Sequence, residues 1–267
     1  MPKKVKNSAN VLEEYNIQEL DLDMIPPNIN NFKDEHQGGC KLFVIGKPGT
    51  GKSTLIKRLM YEKQDIIPFC QIYSGTEDSN SFFGSFCPDI CVYQELNEES
   101  VQDYVKRQKI AKKYLDNPWG MQIFDDCMED ISVFRKPLYS GIFKNGRHHK
   151  SMYIFSVQYC LDLKPALRSL VDGVFILRET IPATREKLYK NFGAGIPTYE
   201  LFNELMDNLT NDHSAMYIRN TGGLSNRLED IVYYYKAEPV PADWKFGCKY
   251  FWDFHNDRYN ENYEKEF

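Results

Sequence analysis

Short runs of apolar, β-branched and aromatic residues recur along the chain, each bounded by turn-forming residues and separated by stretches with helical spacing. The first is Lys41 to Ile45, "KLFVI", and the others are "IIPFCQIYSG" (66–75), "DICVYQ" (89–94), "MQIFDD" (121–126), "SMYIFSVQ" (151–158), "DGVFILRE" (172–179), "SAMYIRN" (214–220) and "IVYYYKA" (231–237). Helices are expected over 51–63 and near 98–116, 127–145, 162–170, 183–192 and 198–209. Strands that alternate with helices predict an α/β fold, a mostly parallel central sheet flanked by crossover helices. The runs 121–124 and 152–157 are apolar at nearly every position, as strands covered on both faces must be, so they belong at the centre. Outside this pattern, residues 1–37 read as a polar N-terminal extension to a domain spanning 38–237. Residues 238–267 read as an aromatic and acidic tail packed on the domain or on a neighbour.

Composition adds exclusions. The chain has 267 residues, 42% of them hydrophobic and 27% charged, enough for a sizeable core. No run of about eighteen apolar residues occurs, and the basic "MPKKVKN" start has no apolar stretch behind it, so neither a membrane span nor a secretion signal is expected. A net charge of -5 argues against coating nucleic acid by bulk charge and leaves only local basic surfaces for such contact. The seven cysteines, odd in number and scattered, read as free thiols in a reducing compartment. Cys87 and Cys91 with His148 and His149 do not match a zinc-site spacing.

The clearest chemistry follows the first strand. Gly46, Gly51, Lys52 and Ser53 complete the pattern G-x-x-x-x-G-K-[ST] between a strand and a helix. A loop of Gly46, Lys47, Pro48, Gly49, Thr50 and Gly51 curls so that its N–H groups face phosphate oxygens, and the helix beginning there presents its positive end to the same charge. Lys52 would reach the β- and γ-phosphates, Ser53 would hold Mg²⁺, and Thr54 would lie near the α-phosphate. "MQIFDD" places Asp125 at the end of an apolar run, where a carboxylate holds the metal's water shell, and Asp126 next to it, where a second carboxylate orients water. Hydrolases of this layout mostly use Glu at the second position, and the competing reading of the pair, less favoured, is a helix cap after the strand.

Three uses of the nucleotide compete. A GTPase needs N-K-x-D downstream, which is absent. A small-molecule kinase needs an Arg-rich lid, for which "RKPLYSGIFKNGRHHK" (135–150) is the candidate, with Arg147 and Arg178 acting on phosphates. A motor-type ATPase needs a strand between the phosphate-loop strand and the Asp125 strand, ending in a polar sensor of the γ-phosphate. "SMYIFSVQ" fits that strand and Gln158 that sensor, unless Gln158 only ends it. Arg147, just ahead of this strand, could reach a neighbouring subunit's nucleotide as an arginine finger or be an ordinary surface residue.

The set "GKPGTGKST", "MQIFDD", "NGRHHK", "FSVQ" and "LKPALRSLVDGVFILRE" resembles the DNA-packaging ATPases of poxviruses, giant viruses and virophages, of the FtsK/HerA superfamily. The similarity runs from about Lys41 to Glu179, and its more specific parts are the Gly-Arg-His before the Gln-ending strand and "LRSLVDGVFILRE" after it. The resemblance implies a RecA-like P-loop NTPase core of the ASCE type, assembled as a ring and using ATP and Mg²⁺ to drive double-stranded DNA into a preformed capsid. It gives Lys52 and Ser53 the phosphate and magnesium, Asp125 the metal, Asp126 the water, Gln158 the sensing and Arg147 the finger in trans. Partners would be double-stranded DNA, further copies of the chain and capsid proteins, and the location the host cytoplasm and the virion. Read from the residues alone, the candidates for DNA contact are "KRQKIAKK" (106–113), which is more often a solvated helix face, and Lys144, Arg147 and Lys150. A protein that binds ATP only to stabilise an assembly is the remaining alternative.

Overall fold

The computed structural model describes residues 12–259 apart from 129, 160–163, 221–224 and 226. Eight strands form one sheet: β1 (Cys40–Ile45), β2 (Cys70–Ser74), β3 (Val92–Tyr93), β4 (Gly120–Asp125), β5 (Ser151–Val157), β6 (Gly173–Ile176), β7 (Ser214–Arg219) and β8 (Val232–Lys236). Their spatial order is β3-β2-β4-β5-β1-β6-β7-β8. The helices are α1 (Lys52–Glu62), α2 (Glu77–Asn80), α3 (Glu98–Tyr114), α4 (Pro137–Asn145), α5 (Pro165–Arg168), α6 (Pro182–Phe192), α7 (Tyr199–Leu209) and α8 (Lys249–Arg258). The helix expected near 162–170 falls partly on residues outside the described set, and α5 is its described portion.

The strands from β3 to β6 are all parallel, while β7 runs antiparallel to β6 and β8 antiparallel to β7. Connectivity explains the switch. One crossover helix returns the chain to the edge from which the previous strand began, giving a parallel strand. Between β6 and β7 two helices, α6 and α7, intervene, so the chain returns to the edge where β6 ended and β7 must run back. This brings the start of β7 beside the phosphate loop.

β4 and β5 are buried at every residue and occupy the middle of the sheet, as their apolar runs predict. Side chains alternate between two cores. One face carries Phe43, Phe124 and Phe155, which stack, with Phe124 and Phe155 5.1 Å apart between ring centroids and their planes nearly parallel. The other carries Leu42, Ile72, Ile123 and Ile154 and packs against Leu55, Ile56 and Leu59 of α1. Ile17 joins the first core and Leu20, Leu22 and Ile25 the second, so the segment before β1 is bound to the sheet. Trp244, Phe246 and Phe251 likewise bury on the second core, which places the described part of the tail on its own domain.

Candidate functional site

The loop after β1 needs glycine for two separate reasons. Gly49 and Gly51 have φ of 77° and 104°, a region other residues rarely enter, and a Cβ on Gly46 would sit 2.6 Å from Thr50 Oγ1. α1 then starts at Lys52 with no side chain capping it, so the N–H groups of its first turn stay open toward the loop. Ser53 is half-buried in that turn and Thr54 exposed.

Strand register assembles the rest. Asp125 pairs with Ser156, and Ser156 with Val44, so β4, β5 and β1 end together at one edge. Gly46 N donates to Val157 O at 3.1 Å and Asp126 N to Ser156 O at 3.1 Å, which fixes the three chain ends against one another. Lys52 is buried, and its Nζ donates to Gly46 O at 2.9 Å and to Asp126 Oδ2 at 3.2 Å. Gln158 Nε2 donates to the same Asp126 oxygen at 3.1 Å. Asp126 is held at a φ of 49°, a left-handed conformation that Asp enters more readily than most residues and that concentrates at functional positions. Lys52, Asp126 and Gln158, far apart in sequence, are therefore one cluster.

Asp125 is 4% exposed. Burial pushes its carboxyl above the usual range and the charge of Asp126 adds to this, while the hydroxyls of Ser156 and Ser74 and the Lys52 ammonium pull it back. Among the described residues, seven buried side-chain polar atoms lack a hydrogen-bond partner, and three of them are here: Asp125 Oδ1, Asp126 Oδ1 and Ser156 Oγ. Buried oxygens left open in this way are expected where a ligand completes the shell. The donors suit magnesium, a hard cation that takes one or two protein oxygens together with phosphate and water. Among the described residues, no group of three or more His, Cys, Asp or Glu side chains is placed to hold a metal ion.

Glu179, His213, Ser74 and Ser156 join the site without having been legible beforehand. Lys47 Nζ pairs with Glu179 Oε1 at 2.6 Å, and that carboxylate also accepts from Thr180 N and Ile181 N, tying the loop to the start of α6. His213, with a φ of 60°, brings Nδ1 to 3.4 Å from Thr50 O. Ser74 and Ser156 flank Asp125 in register. The only sequence signal for Ser156 was a polar residue inside the apolar "SMYIFSVQ".

Arg147 is placed elsewhere. It lies in the turn Gly146–His149 ahead of β5, at the opposite edge of the sheet, about 20 Å from Gln158 at ~3.3 Å per strand residue. Its guanidinium pairs with Asp172, which also accepts from Lys41 N at 2.8 Å and sits 3.2 Å from Lys41 Nζ. It cannot serve its own phosphate loop, and its half-exposed side chain is open to a neighbour. The segment 135–150 is no lid: α4 buries Tyr139, Ile142 and Phe143 as the crossover from β4 to β5. Arg178 is held by Asp207 at 3.1 Å.

Of the residues assigned to DNA, Lys150 requires correction. It is 6% exposed and donates to the carbonyls of Asp34, Glu35 and Gln37, so it fastens the N-terminal segment instead of facing solvent. On α3, Lys106, Lys109, Lys112 and Lys113 are exposed, and Lys112 Nζ reaches His148 O at 3.2 Å, joining that face to the Arg147 turn. No helix of the described residues is long and apolar enough to cross a membrane.

No family model matches the sequence. Protein 088R of invertebrate iridescent virus 3 is 49% identical over 235 residues, 87% of this chain and 90% of that protein. Protein 075L of invertebrate iridescent virus 6 is 42% identical over 255 residues, covering 95% and 98%. In structure the chain is similar to B204, the DNA-packaging ATPase from Sulfolobus turreted icosahedral virus, with a TM-score of 0.53 at 16% identity over 76% of this chain and 98% of that one. The genome-packaging NTPase B204 of Sulfolobus turreted icosahedral virus 2, in complex with ATP-gammaS, gives 0.52 at 15% identity with the same coverage. At these identities the chain belongs to the family of proteins 088R and 075L of the invertebrate iridescent viruses, and it shares with B204 an α/β fold whose mostly parallel sheet is flanked by helices.

Proposed function

We propose that the protein is an ATP-driven translocase of double-stranded DNA that packages a viral genome into a preformed capsid, working as a ring of identical subunits. The observation that carries this reading is the Lys52–Asp126–Gln158 cluster, gathered at the ends of the adjacent strands β4, β5 and β1 with open carboxylate oxygens beside the uncapped start of α1.

The residues then divide the work. The N–H groups of the loop from Gly49 onward and of the first turn of α1 bind phosphate, and Lys52, released from Asp126, neutralises charge that grows on the γ-phosphate as its bond to the β-phosphate lengthens. Ser53 and Asp125 would hold Mg²⁺, which supplies electrostatic stabilisation of the phosphates when bound. Asp126, freed of its lysine, accepts the proton of the attacking water. Gln158 lies within hydrogen-bond reach of Asp126 and senses whether the γ-phosphate is present. Arg147 serves the neighbouring subunit's site. It can leave Asp172 without stranding a buried charge, because Lys41 remains as that carboxylate's partner. Capsid proteins are further partners, and the sites of action are the host cytoplasm and the virion.

The kinase alternative needs Arg147 and Arg178 on phosphates within one subunit. The first sits at the far sheet edge and the second is engaged by Asp207, which favours the motor. The test is steady-state ATP hydrolysis with and without long duplex DNA, at several protein concentrations and low salt. A rate that rises with DNA and more than linearly with protein is expected. Phosphate transfer to a small acceptor, indifferent to DNA, would replace this reading by the kinase, and absence of turnover would leave an ATP-binding assembly protein.

A further inference from the structure

The second core face ends in an abrupt change of character. Leu42, Ile154, Ile123 and Ile72 form one transverse row across β1, β5, β4 and β2, each fully buried. Two residues further on, the same alternation places Val44, Ser156, Asp125 and Ser74 in the next row, on the face that packs α1. The carboxylate is thus bracketed by hydroxyls on both neighbouring strands, with a wall of aliphatic side chains beneath it.

The two hydroxyls differ in what they bond. Ser74 Oγ lies 3.4 Å from Thr76 Oγ1. Ser156 is wholly buried, and its hydroxyl faces the Asp125 carboxylate, whose charged form it favours, yet neither its Oγ nor Asp125 Oδ1 is completed by a hydrogen bond of good geometry. A hydroxyl that is buried and unsatisfied costs stability, and a strand position among isoleucines would be filled more favourably by an apolar residue. Two such oxygens side by side in register, at the mouth of a phosphate loop, share one unfilled demand for hydrogen bonds.

We infer that Ser156 is a positioning residue for the divalent cation, its hydroxyl and Asp125 Oδ1 together holding a water of the magnesium shell. This rests on the nucleotide-site reading above. Magnesium keeps several of its waters when bound to protein, and groups that fix those waters raise metal affinity without touching the ion. The aliphatic row below prevents bulk water from taking the same place. Ser74, already near Thr76, contributes less.

The experiment titrates Mn²⁺ against the full chain saturated with a non-hydrolysable ATP analogue, following free Mn²⁺ by its electron paramagnetic resonance signal, for wild type, Ser156→Ala, Ser156→Thr and Ser74→Ala. Ser156→Ala is expected to weaken Mn²⁺ by about 10-fold or more. Ser156→Thr retains most of the affinity, Ser74→Ala loses less than Ser156→Ala, and affinity for the analogue in EDTA stays at the wild-type value in all four. The melting temperature of ligand-free Ser156→Ala should equal or exceed that of wild type, because an unsatisfied hydroxyl has been removed. Wild-type Mn²⁺ affinity in Ser156→Ala, or a lower ligand-free melting temperature, would overturn the inference and make the hydroxyl purely structural. Failure of the wild type itself to bind Mn²⁺ with the analogue would overturn the nucleotide-site reading as well, so the two failures are distinct.

Discussion

The two edges of the sheet treat buried polar groups in opposite ways. At the edge where β4, β5 and β1 end, Asp125, Asp126 and Ser156 each keep an oxygen without a partner, and Asp126 adopts a left-handed backbone. At the edge where those strands begin, the buried cations are satisfied. Lys63 donates to Leu22 O and Ile25 O, Lys150 to three carbonyls, and Lys41 lies beside Asp172. The first edge leaves groups incomplete at a cost in stability, as the proposed nucleotide site requires; the second uses the same kinds of group to fasten the N-terminal segment. Charge alone does not separate them, since a buried lysine stands at each; the difference lies in whether its neighbours are complete.

Substitutions at each edge should therefore fail in different ways. Lys52→Ala, at the ligand edge, is expected to reduce ATP hydrolysis by more than about 10³-fold, to background, since both the phosphate clamp and the countercharge to Asp126 go; turnover near wild type would remove the site assignment. Arg147→Ala should lower turnover by about 10²-fold in the assembled protein, yet shift stability by less than about 1 kcal/mol because the pair with Asp172 is half-exposed. Mixing Arg147→Ala subunits with Asp126→Asn subunits should restore part of the activity if the arginine acts across an interface, and no recovery at any ratio would speak against that role.

At the opposite edge the readout is unfolding. Lys63→Met leaves the Leu22 and Ile25 carbonyls without their donor and should cost about 2 kcal/mol in urea melts, with hydrolysis per folded molecule unchanged; a loss of turnover there would blur the division between the edges. The smallest effect is the pH dependence. Burial lowers the Lys63 ammonium from its ordinary value, partly opposed by Cys40, Asp23 and nearby acids. Between that lowered value and the unfolded 10.5 the unfolded chain binds more protons, so this group makes stability rise with pH across the window. Below the lowered value its penalty is complete. Wild type should thus gain on Lys63→Met as pH is raised through the lowered value toward 10.5, and parallel curves would mean that Lys63 does not titrate differently on folding.

Much of this architecture was legible because its signals are local. "KLFVI" before "GKPGTGKS" announces strand, loop and helix, and the unbroken burial of β4 and β5 is written in their apolar runs. Gln158 could be named because it ends such a run. Lys150 misled because a lysine beside Arg and His looks like a surface cation, and only the returning N-terminal segment supplies the carbonyls that bury it. The antiparallel direction of β7 is set by the two helices between it and β6, both expected from the sequence, and not by the strand's own residues.

By itself, then, the amino-acid sequence determined the phosphate loop, the strand that carries Asp125 and Asp126 and the strand that ends at Gln158, since each depends on neighbours a few residues away. Only the tertiary structure decided that Lys52 and Gln158 meet at one oxygen of Asp126, that Ser156 lies open beside Asp125, and that Arg147 stands at the far edge against Asp172. Those are matters of strand order and register, set by burying two apolar faces at once, and no single segment contains that information.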